Sequence, residues 1–121
     1  MAVEDVTEAQ WDDKVLSRDH VAVDFWAERC GFCKQLAPVY DQVSNEVTDM
    51  KFVKVDVGNE TGLAQRYGVQ GIPAIKFFCH GKEVGGVVGY RSKEQLKQDI
   101  ARARAEDEAC VANSSELKYS K

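Results

Sequence analysis

Residues 21–33 read Val-Ala-Val-Asp-Phe-Trp-Ala-Glu-Arg-Cys-Gly-Phe-Cys. Positions 21 to 27 are apolar except for Asp24, the pattern of a central strand covered on both faces. Leu36, Val39, Tyr40, Val43 and Val47 then recur at three- and four-residue steps, so a long amphipathic helix is expected, kinked by Pro38 inside it. The motif Cys30-Gly31-Phe32-Cys33 therefore falls where the strand hands over to the helix. At this spacing both sulfurs sit on the first helical turn, close enough to bond to each other. The N-terminus of a helix offers unpaired N–H groups and partial positive charge, and both favour a thiolate. A thiol so placed has a pKa well below the free value of about 8.5. Cys30 reads as an attacking nucleophile and Cys33 as the thiol that resolves the resulting mixed disulfide.

Working outward, the alternation of elements continues. Thr7-Glu8-Ala9-Gln10 has capping-box spacing, and Trp11 and Val15 share the helical face that follows. Phe52, Val53, Val55 and Val57 mark a second strand. Leu63, Ala64 and Tyr67 suggest a short helix ending before Gly68. Ala74 to Cys79 and Val84 to Gly89 read as strands joined by a hairpin at His80-Gly81-Lys82. Ser92-Lys93-Glu94-Gln95 repeats the capping-box spacing, and Leu96, Ile100 and Ala103 form the buried face of a last helix. With a short leading strand at Val3, the expected fold is α/β: a mixed sheet of four or five strands flanked by four helices. Residues 1–105 read as one domain. Residues 106–121 read as a polar tail that extends the last helix or frays.

Composition bounds the function. A chain of 121 residues fits one domain and buries enough apolar surface to need no structural disulfide or metal. Its net charge of −4 argues against nucleic acid or an anionic membrane as main partner. No apolar run approaches the ~20 residues needed to cross a bilayer. Residues 1–5 lack the basic start and apolar stretch of a secretory signal, so a cytoplasmic location is expected. Of four cysteines, Cys79 and Cys110 stand alone, too scattered for a disulfide framework. In a reducing compartment the close pair reads as catalytic, redox-active or metal-binding. A structural zinc site needs four ligands, and neither the lone cysteines nor His20 and His80 show ligand spacing. No metal and no cofactor is expected. Asn59-Glu60-Thr61 and Asn113-Ser114-Ser115 match glycosylation sequons, which carry no meaning in a cytosolic chain.

Asp24-Phe25-Trp26-Ala27 before Cys30, Lys34 after Cys33, Ala37-Pro38, Tyr67-Gly68-Val69 and Gly71-Ile72-Pro73 together resemble the thioredoxin family. The likeness runs from about residue 6 to 105 in the family's order and spacing. It implies the thioredoxin fold, reduction of protein disulfides, disulfide-containing substrate proteins, and re-reduction by a thioredoxin reductase linked to NADPH or to ferredoxin. A monomer is expected. By this resemblance Asp24 is the buried acid behind Cys33, relaying a proton through water, and Lys54 is the lysine beside it. The Ile72–Pro73 bond is cis by the same resemblance, packs against the active disulfide and leaves Ile72 to pair with substrate backbone. Trp26 lies beside the dithiol. Gly31, Phe32, Gly71, Ile72, Pro73, Val88 and Gly89 complete an apolar rim for substrate.

Three residues depart from the family pattern. Phe32 stands where proline is usual and adds an N–H near the Cys30 thiolate, which favours the reduced form. Arg29 stands where a second tryptophan is usual and puts a cation one residue before the nucleophile. Tyr90 replaces a small residue beside the rim. These changes point to a dedicated substrate or reductase. Three alternatives remain open on sequence: a disulfide oxidase or isomerase, a non-catalytic binding module, and a zinc or iron–sulfur site shared across a dimer.

Overall fold

The computed structural model describes residues 3–105; the expectations for the tail, for Cys110 and for the second sequon lie outside them. Five strands form one sheet in the order β1-β3-β2-β4-β5. They are β1 (Val3–Asp5), β2 (His20–Trp26), β3 (Lys51–Asp56), β4 (Ala74–Cys79) and β5 (Lys82–Val88). The first three run parallel, while β4 and β5 are antiparallel additions. Helix α1 (Gly31–Glu46) connects β2 to β3, and α2 (Thr61–Arg66) lies between β3 and β4. A last helix, α3, occupies residues 93–105. The architecture is the mixed five-stranded thioredoxin fold expected from the sequence.

Strand alternation sorts the core into two layers. Val21, Val23 and Phe25 of β2 join Val53, Val55, Leu63, Trp11 and Val15 on one face. Ala22 and Phe52 join Leu36, Tyr40, Val43, Leu96 and Ile100 on the other. Trp11 is fully buried, donates its indole N–H to Tyr67 Oη at 2.9 Å, and meets Phe78 edge to face. Truncating it to alanine would remove about 3–5 kcal/mol of stability.

The segment ahead of β2 differs in detail from the single helix expected. It is a 3-10 turn at Glu8–Gln10 followed by a π-helical stretch at Asp12–Leu16. Trp11 and Val15 still share a buried face, because a four-residue step serves either helix type. The Thr7 N–H donates to the Gln10 side chain at 3.1 Å, as the spacing suggested. The hairpin is tighter than expected: His80 and Gly81 both have positive φ, 48° and 82°. That is a two-residue turn, so Lys82 already pairs with Cys79. The turn also carries His80 to 6.2 Å from His20, ring centre to ring centre. The second capping box is reciprocal: the Ser92 N–H donates to Gln95 Oε1 at 3.0 Å and the Gln95 N–H to Ser92 Oγ at 3.2 Å. Leu96, Ile100 and Ala103 are buried on α3 as expected.

Candidate active site

The C-terminal end of β2 delivers the chain to α1 through only residues 27–30. Cys30 is the N-cap, with extended backbone (φ −93°, ψ 112°), and Gly31 opens the helix. An N-cap side chain normally supplies an acceptor for the N–H two or three residues on. Here the acceptor is sulfur: the Cys33 N–H donates to Cys30 Sγ at 3.1 Å. The two cysteines are joined in a disulfide with Cα atoms 5.2 Å apart. Cys30 is half-buried, while Cys33 is 3 % exposed on the inner face of the helix. The outer sulfur is thus the one an incoming disulfide can reach.

Asp24 lies on β2, six residues before Cys30. It pairs in register with Lys54 on β3 and with Ile75 on β4, on the sheet face that α1 covers. Its Oδ1 has no hydrogen-bond partner among the described residues. Burial raises its pKa from 3.8 to about 7, against a smaller downward pull from Lys54. A group that titrates near neutrality can both give and take a proton at working pH. Lys54 also lies over the ring of Trp26, with Nζ 5.3 Å from its centroid. The Trp26 indole N–H is buried and likewise lacks a partner among the described residues.

Other residues singled out from the sequence gather at the same end of the sheet. The pairs Phe25–Ala74 and Ala74–Val88 put the start of β4 and the end of β5 level with the end of β2. Pro73, in a cis bond after Ile72, is buried there. Its carbonyl accepts the Gly89 N–H at 2.7 Å. Gly71 lies so close to Val88 that a Cβ on it would come within 3.0 Å of Val88 Cγ1. Phe32, Val88 and Tyr90 are the exposed large hydrophobic residues among those described.

Two features of the site carry little signal in the sequence. The Tyr40 hydroxyl reaches from α1 to the carbonyls of Ala22 at 2.9 Å and Val53 at 2.8 Å, tying the dithiol helix to β2 and β3. Burial, and then the Asp24 carboxylate, holds its pKa well above the usual value. A tyrosine on an otherwise aliphatic helix face was the available signal. The second is a part-buried ion pair between Arg91 and the buried carboxylate of Asp99. Cys79 is fully buried at the end of β4. Among the described residues no group of three or more His, Cys, Asp or Glu is arranged to hold a metal ion, and no helix is long and apolar enough to cross a membrane.

Two sulfurs that can close and reopen a bond on one helical turn carry two electrons between them, and that capacity defines a thiol–disulfide oxidoreductase. Similarity to known proteins narrows the class. The family model described as Thioredoxin matches residues 2–102. A thioredoxin of Rickettsia typhi is 38% identical over 96 residues, spanning 78% of this chain and 91% of that one. A thioredoxin of Mycoplasmoides gallisepticum is 36% identical over 90 residues, spanning 74% and 90%. The chloroplastic thioredoxin M4 of Arabidopsis thaliana is 31% identical over 102 residues, spanning 83% of this chain and 53% of that one. The chain belongs to the thioredoxin family, and it is a disulfide reductase that works through Cys30 and Cys33.

Proposed function

We propose that the protein carries electrons to protein disulfides in the cytoplasm as a monomer, and that a thioredoxin reductase, NADPH- or ferredoxin-linked, returns it to the dithiol. In the reduced protein the Cys30 thiolate attacks one sulfur of a substrate disulfide and the other sulfur leaves as a thiolate. The Cys33 thiol passes its proton to the Asp24 carboxylate, by way of water, and attacks Cys30. The second substrate sulfur departs and takes up a proton. Two electrons have moved to the substrate, and Cys30–Cys33 is a disulfide. Lys54 keeps the ionised form of Asp24 within reach of neutral pH. Trp26, Gly31, Phe32, Gly71, Ile72, Pro73, Val88 and Gly89 receive the substrate backbone around the dithiol.

The observation that carries this reading is the position of Cys30 Sγ at the helix N-terminus, 3.1 Å from the Cys33 N–H. An insulin-reduction assay tests it. The wild type accelerates reduction, Cys30→Ser does not, and Cys33→Ser accumulates a mixed disulfide on Cys30. Thiol-dependent turnover that survives Cys30→Ser would assign the nucleophile elsewhere. Supplying electrons through a flavoprotein reductase with NADPH, or through a ferredoxin-linked one, identifies the donor.

A further inference from the structure

Between the end of β5 at Val88 and the start of α3 at residue 93 lie only four residues, and they are held at three points. Gly89, at φ +99°, donates its N–H to the Pro73 carbonyl at 2.7 Å. Ser92 is locked to Gln95 by the reciprocal cap. Between these, Arg91 makes a fork on Asp99 of α3, Nε to Oδ2 at 2.8 Å and Nη2 to Oδ1 at 3.0 Å. The Asp99 side chain is 1% exposed, so its charge is desolvated and depends on that fork. Arg102 adds a second, solvent-facing cation at 3.3 Å. With Arg91 turned inward, its neighbour Tyr90 stays 41 % exposed, and Val88 on the other side of Gly89 is 68 % exposed.

We propose that the Arg91–Asp99 pair is a positioning device that holds Tyr90 out beside Val88 as a specificity-determining contact, favouring protein substrates with an apolar or aromatic side chain near the disulfide. The proposal rests on the reading of Val88 and Gly89 as substrate surface. A loop this short has few ways to rearrange, and an anchor at Arg91 fixes where the adjacent ring stands. A rigid aromatic at an interface loses little entropy when it binds, so it discriminates well for its area. Replacing Asp99 takes from Arg91 the carboxylate that its fork holds and frees the segment. Replacing both with leucine keeps the anchor by packing.

The test uses the dithiothreitol-reduced, desalted protein in stopped flow against two disulfides. Insulin presents polypeptide on both sides of its cystines; 5,5′-dithiobis(2-nitrobenzoate) presents none. The readout is the ratio of the two second-order rate constants, with folding of every variant checked by circular dichroism. Tyr90→Ala lowers the ratio about five-fold, the effect of losing one partly buried contact. Asp99→Asn lowers it in the same direction, and Arg91→Leu with Asp99→Leu restores it to within about two-fold of wild type. A ratio unmoved by Tyr90→Ala overturns the proposal. So does an Asp99→Asn variant whose two rate constants fall together, because that is general loosening. Val88→Asp separates the two readings. If it lowers the ratio while Tyr90→Ala does not, only the positioning proposal falls. If neither moves it, the substrate surface itself is misassigned.

Discussion

Asp24 and Lys54 stand opposite one another on β2 and β3, an acid and a base side by side in the middle of a sheet. The acid is 4% exposed, and burial dominates over the lysine, so its pKa rises from 3.8 to about 7. The unfolded chain ionises Asp24 near its ordinary value, whereas the folded protein does not until neutrality. Below about pH 4 both states are protonated and the residue is neutral to stability. As pH climbs from there to 7, the unfolded state releases its proton first and gains the advantage, and above 7 the penalty is complete. Asp24→Asn therefore stabilises the protein at pH 8 by up to roughly 4 kcal/mol and has little effect at pH 4. Denaturant unfolding at the two pH values measures this. An equal effect at both would remove the raised pKa from the account.

Lys54 offsets part of the burial. Lys54→Met should raise the pKa of Asp24 above 7. The carboxyl carbon shift of Asp24, followed by NMR through a titration, reports the change. A midpoint that stays put or falls would mean that Lys54 does not act on this acid.

Phe32 is the second residue of α1 and is 61 % exposed, so it can be replaced without disturbing the core. Its N–H belongs to the first turn, which lacks intrahelical acceptors. We propose that in the dithiol form this donor adds to the stabilisation of the Cys30 thiolate. Phe32→Pro removes it, and the reduction potential should become more negative by about 20 mV, the equivalent of one net hydrogen bond. Equilibration against a glutathione buffer gives the value. A variant no more reducing than wild type contradicts the role of the amide.

Gly89 adopts φ +99°, a conformation that side chains resist, while its N–H holds Pro73. Gly89→Ala should destabilise by roughly 1–3 kcal/mol. On the proposed reading of Pro73, Val88 and Gly89 as substrate surface, it should also slow insulin reduction, because a shifted backbone at residue 89 disturbs the bond to Pro73. Thermal unfolding beside the insulin assay checks both, and a fully stable variant would dismiss the strain.

The parts of this molecule that were legible in the sequence are those with a repeat or a punctuation mark. Strands β2 and β4 declare themselves by apolar runs, each interrupted inside by one charged residue, Asp24 or Lys76, α1 and α3 by their periodicity, and the α3 start by Ser92 and Gln95. The dithiol is legible because its chemistry lies within four residues. The start of β5 is not, since Lys82 and Glu83 are exposed and carry no apolar pattern. The 3-10 and π turns around Trp11 are hidden because a four-residue spacing fits several helix types. The Arg91–Asp99 pair spans a loop and two turns of helix, and the Tyr40 hydroxyl reaches backbone 13 and 18 residues away. Contacts of that kind exist only once the sheet has brought the elements together.

The proposed chemistry depends on a stabilised thiolate at Cys30. The most direct measurement is the rate of iodoacetamide alkylation of Cys30 in the reduced protein across pH, with Cys33→Ser used to isolate the site. A midpoint well below the free-thiol value of about 8.5 is expected from the helix N-terminus and the Cys33 N–H. A midpoint at the free-thiol value would contradict it.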